Sequence, residues 1–164
     1  FRLRRGAAAF DTLLAPGTLR SPQGCAVSAD GHRLYVADYA RGIAFVRFDG
    51  GAVVWLPKPY TLASGGIDGL VRDGLTLLAI QNGPTPKRVL ALGLDEAGDR
   101  IESWRVLEQG SPRLGEPNHG TVAGRDFVLI GDSGWDRVGE DGRLRTPPGT
   151  RPPVLLRLPL GPAR

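Results

Sequence analysis

A repeat of about 45 residues is the feature that most constrains how this chain can fold. Three segments open with a polar residue followed by glycine, and these glycines are Gly24, Gly69 and Gly120. Each glycine is followed by a short apolar run, a tight turn, a second apolar run and a third run further along. Four antiparallel strands recurring every roughly 40–50 residues are typical of a β-propeller blade. The repeat therefore predicts an all-β propeller fold.

The runs within each unit have the composition of strands. The second runs read RLYVAD, LTLLAIQN and FVLIGD, and the third read IAFVRF, RVLALGL and VLLRLPL. The Asp-Gly pairs ending at Gly31 and Gly74 supply the positive φ that a two-residue hairpin requires. Continuous apolar second runs are typical of strands that are buried on both faces. A β-sandwich is the alternative, and the regular period argues against it.

The repeat boundaries predict one partial propeller domain over residues 1–164. About three and a half four-stranded antiparallel blades are present, too few to close a ring, since a propeller needs at least four. We therefore expect the C-terminal half of a longer propeller, with an N-terminal half that supplies the remaining blades. Residues 1–15 read as the third and fourth strands of a preceding blade. The predicted units are residues 1–19, 20–63, 64–110 and 111–164, the last lacking its outer strand.

Composition and charge exclude several classes of protein. The chain is 41% hydrophobic and 23% charged, as in an ordinary globular domain. Its net charge of +4 comes from scattered basic residues, so nucleic acid is not an expected partner. No segment approaches the ~20 apolar residues of a membrane helix. Cys25 is the single cysteine and forms no internal disulfide, and the sequence leaves the compartment open.

Two stretches resemble the gluconolactonase, senescence-marker-protein and strictosidine-synthase-like family. SPQGCAVSADGHRLYVADYARGI resembles the family's blade signature PNG-(apolar)-S-x-DG-x-x-LYVAD. GGIDGLVRDG resembles its xPDGxxxDxxG motif, with Ile67 where the family has proline. The resemblance covers most of residues 20–135. It implies a six-bladed propeller whose enzymes bind a divalent metal, Ca²⁺ or Zn²⁺, at the axial pocket and hydrolyse lactones or related esters.

The same resemblance implies two metal ligands. Asp68 matches the aspartate of the PDG motif, and Gln23 stands where the PNG motif has a metal-binding asparagine. The family's glutamate ligand and a further asparagine belong to earlier blades, outside these residues. Oxygen ligands suit a hard cation such as Ca²⁺. A bound cation can polarise a lactone carbonyl or lower the pKa of a bound water.

The loops on one face of the predicted propeller are long. In a blade, the loop before strand one and the loop between strands two and three lie on the same face. Long loops on a rigid scaffold are where binding residues concentrate, whereas the opposite face carries short Asp-Gly turns. The long loops comprise residues 56–65, 82–88, 109–118 and 133–153.

Further candidate residues lie on this long-loop face. His119 should ring the mouth of the axial channel together with Gln23 and Asp68, because all three begin inner strands. Its imidazole could hold substrate or act as a catalytic acid–base group. The candidates for substrate binding are Asp38, Asn82, Asp132 and Trp135.

Residues 131–134 spell GDSG, the sequence around the nucleophile of trypsin-like proteases. Ser133 nevertheless follows a predicted strand end, because Asp132 aligns with Asp38. A serine triad also needs a histidine and a partner aspartate in its own arrangement, which the sequence does not supply. We therefore expect Ser133 to have a structural role.

Two functions from different classes are compatible with these features. The first is a metal-dependent hydrolase whose small-molecule substrate is a lactone or ester. The second is a non-catalytic propeller that binds a ligand or protein partner through its long-loop face. The first depends on Asp68 and the second on the loops themselves.

Overall fold

The computed structural model describes residues 1–146 and 152–161, in which the strands form three antiparallel sheets. The first blade contains β1 (Pro22–Val27), β2 (Arg33–Asp38), β3 (Gly42–Arg47) and β4 (Val53–Trp55). The middle blade contains β5 (Ile67–Asp73), β6 (Thr76–Gln81), β7 (Arg88–Leu94) and β8 (Ile101–Gln109). The last blade contains β9 (Gly120–Ala123), β10 (Asp126–Asp132) and β11 (Val154–Pro159), and a 3₁₀ helix, Trp135–Arg137, follows β10.

Both faces of the middle blade are covered by neighbouring blades. Successive side chains of a strand point to opposite faces of its sheet. In β6, Leu77 and Ala79 join a core with the first blade, whereas Leu78 and Ile80 join a core with the last blade. All four are at most 1% exposed. The apolar second run is therefore a strand enclosed on both sides, as its sequence predicts.

The repeated glycines allow inner strands of neighbouring blades to approach closely. β1 contacts β5, and β5 contacts β9. A Cβ atom on Gly24 would lie 2.5 Å from the carbonyl oxygen of Asp68, and one on Gly69 would overlap the carbonyl oxygen of Asn118. At Gly120, in the last blade, a Cβ would instead lie 2.7 Å from the ring of Phe127 in the same sheet. The first two glycines of the repeat therefore lie where neighbouring blades contact each other.

The N-terminal segment differs from its prediction. Residues 1–15 form a single antiparallel bridge between Arg2 and Asp11, reinforced by a 2.8 Å ion pair, and not two strands. The segment lies against the first blade, where the carbonyl oxygen of Leu13 would be 2.7 Å from a Cβ on Gly51. An isolated strand pair is only marginally stable without further strands beside it. The segment's large aromatic side chains stay exposed, Phe1 at 90% and Phe10 at 69%, so the segment contacts the blade without extended pairing.

The last blade has an open edge in the described part of the chain. Its sheet order is β11-β10-β9, so β11 pairs on one side only. Leu155 on β11 is 71% exposed, whereas Leu156 beside it is 7% exposed and packs toward the middle blade. Positions 147–151 of the predicted loop 133–153 lie outside the described residues. Within the described ranges, no helix is long and apolar enough to cross a membrane.

Candidate functional site

A buried amide links two blades on the long-loop face. Asn82 follows β6 and is 9% exposed. Its Nδ2 lies 2.9 Å from Oδ2 of Asp68, 3.0 Å from the carbonyl oxygen of Pro117 and 3.3 Å from Oε1 of Glu116. An amide nitrogen carries only two hydrogens, so it cannot fully satisfy three acceptors. Asp68 and Glu116 are therefore brought together around one side chain.

An ion pair holds Glu116 from its other side. Nζ of Lys87 lies 2.5 Å from Oε2 of Glu116, and it also donates to the carbonyl oxygen of Gly115. The two side chains are 26% and 19% exposed, respectively. Lys87 lies in the loop between β6 and β7, and Glu116 lies in the loop before β9. The pair therefore ties the middle blade to the last blade beside Asp68.

The GDSG stretch fixes the backbone at Glu116. Both the hydroxyl and the backbone N–H of Ser133 donate to the carbonyl oxygen of Glu116, each at 3.0 Å. Oδ1 of Asp132 accepts from the N–H of Gly134 at 3.1 Å. Asp132, predicted to bind substrate, thus stabilises the turn after β10. Ser133 has the structural role that the sequence predicts, because its hydroxyl is committed to a backbone carbonyl.

Tyr39 brings the first blade to the same region. A Cβ on Gly83 would lie 2.9 Å from the Tyr39 hydroxyl oxygen and 2.7 Å from Cα of Gly66, so this loop is closely packed. Burial raises the pKa of Tyr39, and the nearby charges of Glu116 and Asp68 raise it further. The phenol therefore stays protonated at neutral pH and can donate a hydrogen bond.

Asp38 is enclosed and makes four backbone hydrogen bonds. It is 0% exposed. Burial alone raises the pKa of Asp38, but its N–H donors outweigh this and hold the pKa below its usual value. In this structure the Asp38 carboxylate shapes the loops around it, and its binding of substrate stays a prediction. The donors are the N–H groups of Arg20 (2.6 Å), Ser21 (3.3 Å), Ala40 (3.0 Å) and Arg41 (3.2 Å).

Gln81, which the sequence did not single out, is the counterpart of Asp38 in the middle blade. Asp38 pairs with Pro22 across β1 and β2, and Gln81 pairs with Ile67 across β5 and β6. Nε2 of Gln81 donates to the carbonyl oxygens at residues 63 and 65, at 2.9 and 2.5 Å. These pairings make Gln81, and not Asn82, the structural counterpart of Asp38. Because Gln81 fastens the loop, Asn82 is available to contact the last blade.

The other predicted site residues lie outside this cluster. Gln23 is exposed, with Nε2 3.4 Å from the hydroxyl oxygen of Ser21. His119 is exposed, and Trp135 is 70% exposed on the 3₁₀ helix. Among the described residues, no hydrogen bond connects Gln23 or His119 to Asp68. The structure thus brings together Asp68 and Asn82, and it adds Glu116.

The atoms around Asp68 that could bind a metal ion are oxygens. The neighbouring nitrogens are those of the Asn82 amide and the Lys87 ammonium group. In the described part of the chain, no group of three or more His, Cys, Asp or Glu side chains is arranged to hold a metal ion. Any cation here would therefore need amide or backbone oxygens besides Asp68 and Glu116. Ca²⁺ accepts such mixed oxygen ligands, whereas Zn²⁺ prefers histidine and cysteine.

No protein-family model matches the chain, and no curated protein matches it. The fold is similar to a chain in the crystal structure of a nidogen/laminin complex, with a TM-score of 0.56 and 20% identity over 71% of this chain. It is also similar to the PQQ-bound aldose sugar dehydrogenase of Streptomyces coelicolor, with a TM-score of 0.53 and 13% identity over 88% of this chain. The matches span 42% and 48% of those chains, less than half of each. At these identities the likeness shows the fold alone, a partial β-propeller.

Proposed function

We propose that this chain is part of a metal-dependent hydrolase that opens lactones or small esters at the mouth of the propeller axis. The observation that carries the proposal is the Asp68 carboxylate, which lies on the inner strand of the middle blade with Asn82 and Glu116 beside it. The resemblance of GGIDGLVRDG to the gluconolactonase-type motif supplies the reaction class. The broader propeller fold supports a site at this face but does not select the substrate.

The residues present fit a hard cation. Oδ1 of Asn82 is the one buried side-chain polar atom without a hydrogen-bond partner among the described residues. A buried unpaired oxygen is costly, so a partner that accepts its lone pairs is expected. Asp68 would hold the cation, and Gln23 is the second predicted ligand. When bound, the cation would supply Lewis acidity to a carbonyl oxygen or to a water, and Ca²⁺ suits this oxygen set best.

The chain's own residues would bind and orient the substrate at this face. The protonated Tyr39 phenol is a hydrogen-bond donor close to Asp68 and Glu116, suited to a carbonyl or ring oxygen. The exposed His119 imidazole is the proposed acid–base group. Trp135, on the 3₁₀ helix, offers an exposed aromatic surface to an apolar part of the substrate.

The test is lactone opening by the intact protein with and without a chelator. We expect chelation to abolish activity and added Ca²⁺ to restore it. Asp68→Asn should lower kcat/KM by about 100-fold or more. Loss of a residue that only supports a metal ligand costs roughly 10–100-fold, and loss of a ligand itself should cost more. Asp73→Asn, at the exposed end of the same strand, is the matched control and should keep full activity. Chelator-insensitive hydrolysis would overturn the proposal.

The alternative function is a propeller that binds a protein partner through its long-loop face. Two large aromatic side chains favour it, since Tyr60 is 97% and Trp135 70% exposed. Exposed aromatic residues are enriched in protein interfaces. The nidogen/laminin structure shows a propeller relative within a protein complex. An intact protein that opens no lactone, and whose partner binding falls when Tyr60 and Trp135 become alanine, would establish this alternative.

A further inference from the structure

The cluster around Asn82 carries a net negative charge. Asp68 and Glu116 contribute two carboxylates, and Lys87 contributes one ammonium group, which leaves one negative charge in excess. Lys87 contacts Glu116 directly at 2.5 Å, whereas Asp68 has the Asn82 amide as its partner. A cation added beside Asp68 would therefore meet a favourable field.

The amide of Asn82 is the second feature that points to a cation. Its Nδ2 lies within 3.3 Å of three oxygens, while its Oδ1 has no partner. The nitrogen and oxygen of a carboxamide have nearly the same shape. A half-turn of the amide would place Oδ1 among the oxygens of Asp68, Glu116 and Pro117. Oδ1 would then face three oxygens with no hydrogen between them, an arrangement that is repulsive unless a cation lies among them, and such an oxygen set suits Ca²⁺.

We propose that Glu116, supplied by the loop before the last blade, is a second carboxylate ligand of the cation that Asp68 binds, and that Lys87 neutralises Glu116 until that cation arrives. This inference rests on the proposed function, because it concerns the same cation. It differs in its ligands, because Glu116 and Asn82 bind the cation in place of Gln23, the ligand that the family resemblance implies. It also makes Lys87 a competitor whose removal should tighten cation binding.

The position of Glu116 is built into the fold. Ser133 donates twice to its carbonyl oxygen, and Lys87 reaches it from the middle blade. The Glu116 side chain therefore sits on backbone held within the last blade and is contacted from the middle blade. The site would exist only where these blades pack together, so cation binding should also strengthen the contact between them.

Calcium binding by the intact protein, measured by isothermal titration calorimetry, tests this inference without any substrate. We expect Glu116→Gln to weaken Ca²⁺ binding about tenfold or more, because the number of charged ligands sets calcium affinity. Lys87→Gln should tighten it by about threefold or more, because a competing positive charge is removed. Glu102→Gln and Lys58→Gln, with the same changes at residues outside the cluster, are the matched controls and should bind as the parent does.

The outcomes separate this inference from the proposed function. If Asp68→Asn abolishes binding while Glu116→Gln and Lys87→Gln both bind Ca²⁺ as the parent does, the inference is wrong and the proposed metal ligand stands. If the parent binds no Ca²⁺, both are overturned. If Glu116→Gln weakens binding but Asp68→Asn does not, Glu116 holds the cation and the proposed function loses its ligand. The opposite directions expected for Glu116→Gln and Lys87→Gln exclude a general folding defect as the cause.

Discussion

The middle blade and the last blade share the pattern of their first three strands but have different surroundings. In the middle blade, Leu77 and Ile80 lie on opposite faces of β6 and both are 0% exposed. In the last blade, Leu129 is 1% exposed on the face toward the middle blade, whereas Leu155 on the edge strand is 71% exposed. The comparison shows that a strand sequence encodes a blade, while its burial depends on neighbours on both sides. Stability in such an array is a sum of unit and interface contributions.

The largest expected contrast between these blades comes from truncating one apolar side chain in each. Ile80→Ala should lower the free energy of unfolding by about 2–5 kcal/mol, because it opens a cavity between two blades. Leu155→Ala should change it by no more than about 0.5 kcal/mol, since this side chain is exposed. Urea denaturation of the intact protein measures both. Equal losses would show that the edge strand is covered in the intact protein.

The repeated glycines give the next effect. Gly69→Ala should cost about 3 kcal/mol, at the upper end for overpacking, because its Cβ would overlap the backbone oxygen of Asn118. Gly50→Ala is the control, since a Cβ at that position meets nothing within 4 Å. Thermal unfolding of the two variants should therefore differ by several degrees. A neutral Gly69→Ala would mean that the inner strands lie further apart than the structure has them.

Asp38 and Gln81 offer a smaller, pH-dependent contrast between the first and middle blades. Asp38→Asn should cost about 1–2 kcal/mol at pH 7, because an amide group replaces acceptors that four N–H groups need. The folded pKa of Asp38 is lowered, so its stabilisation is complete above the unfolded pKa of about 3.9 and is lost as pH falls through the folded pKa. The difference between parent and variant should therefore shrink below about pH 4.

Gln81 provides the control for that pH dependence. Its amide holds the loop before β5 and does not titrate, so the cost of Gln81→Ala should be the same at pH 7 and pH 3. Denaturation midpoints of the two variants at both pH values make the comparison. A cost of Asp38→Asn that does not change with pH would show that Asp38 is not ionised in the folded protein.

The smallest effect is expected at an ion pair of the last blade. Arg157 lies 2.5 Å from Asp126, but its side chain is 75% exposed. Arg157→Gln should therefore cost at most about 1 kcal/mol. The cost should fall further when salt is added, because exposed charges are screened. Urea midpoints at low and high salt check this, and a larger, salt-independent cost would point to burial of this edge.

Much of the fold could be predicted from the sequence because its signals are local. Apolar runs, Asp-Gly turns and the recurring glycines mark the strands and their period. The position of Gln81 was also within reach. Counting seven residues from the turn glycines Gly31 and Gly74 leads to Asp38 and Gln81, whereas aligning the ends of the apolar runs selects Asn82. The turn fixes the register, and the length of the apolar run does not.

The candidate site could be predicted only in part. Asp68 follows the repeat and carries a family-like motif, so the sequence identifies it. Glu116 and Lys87 lie in long loops outside the recurring strand motifs, and they meet only because two blades pack side by side. No spacing along the chain encodes that contact. The prediction of two strands in residues 1–15 is wrong for a related reason. Their strand pattern lacks the neighbouring strands that would support it.

The central claim is that Asp68, Glu116 and Asn82 share one cation. The most direct measurement is anomalous diffraction at long X-ray wavelength from crystals of the intact protein grown with Ca²⁺. The account predicts a calcium peak about 2.3–2.6 Å from oxygens of Asp68, Glu116 and Asn82, with Lys87 displaced from Glu116. Calcium peaks elsewhere, with Lys87 still paired to Glu116 and nothing bound beside Asp68, would contradict it.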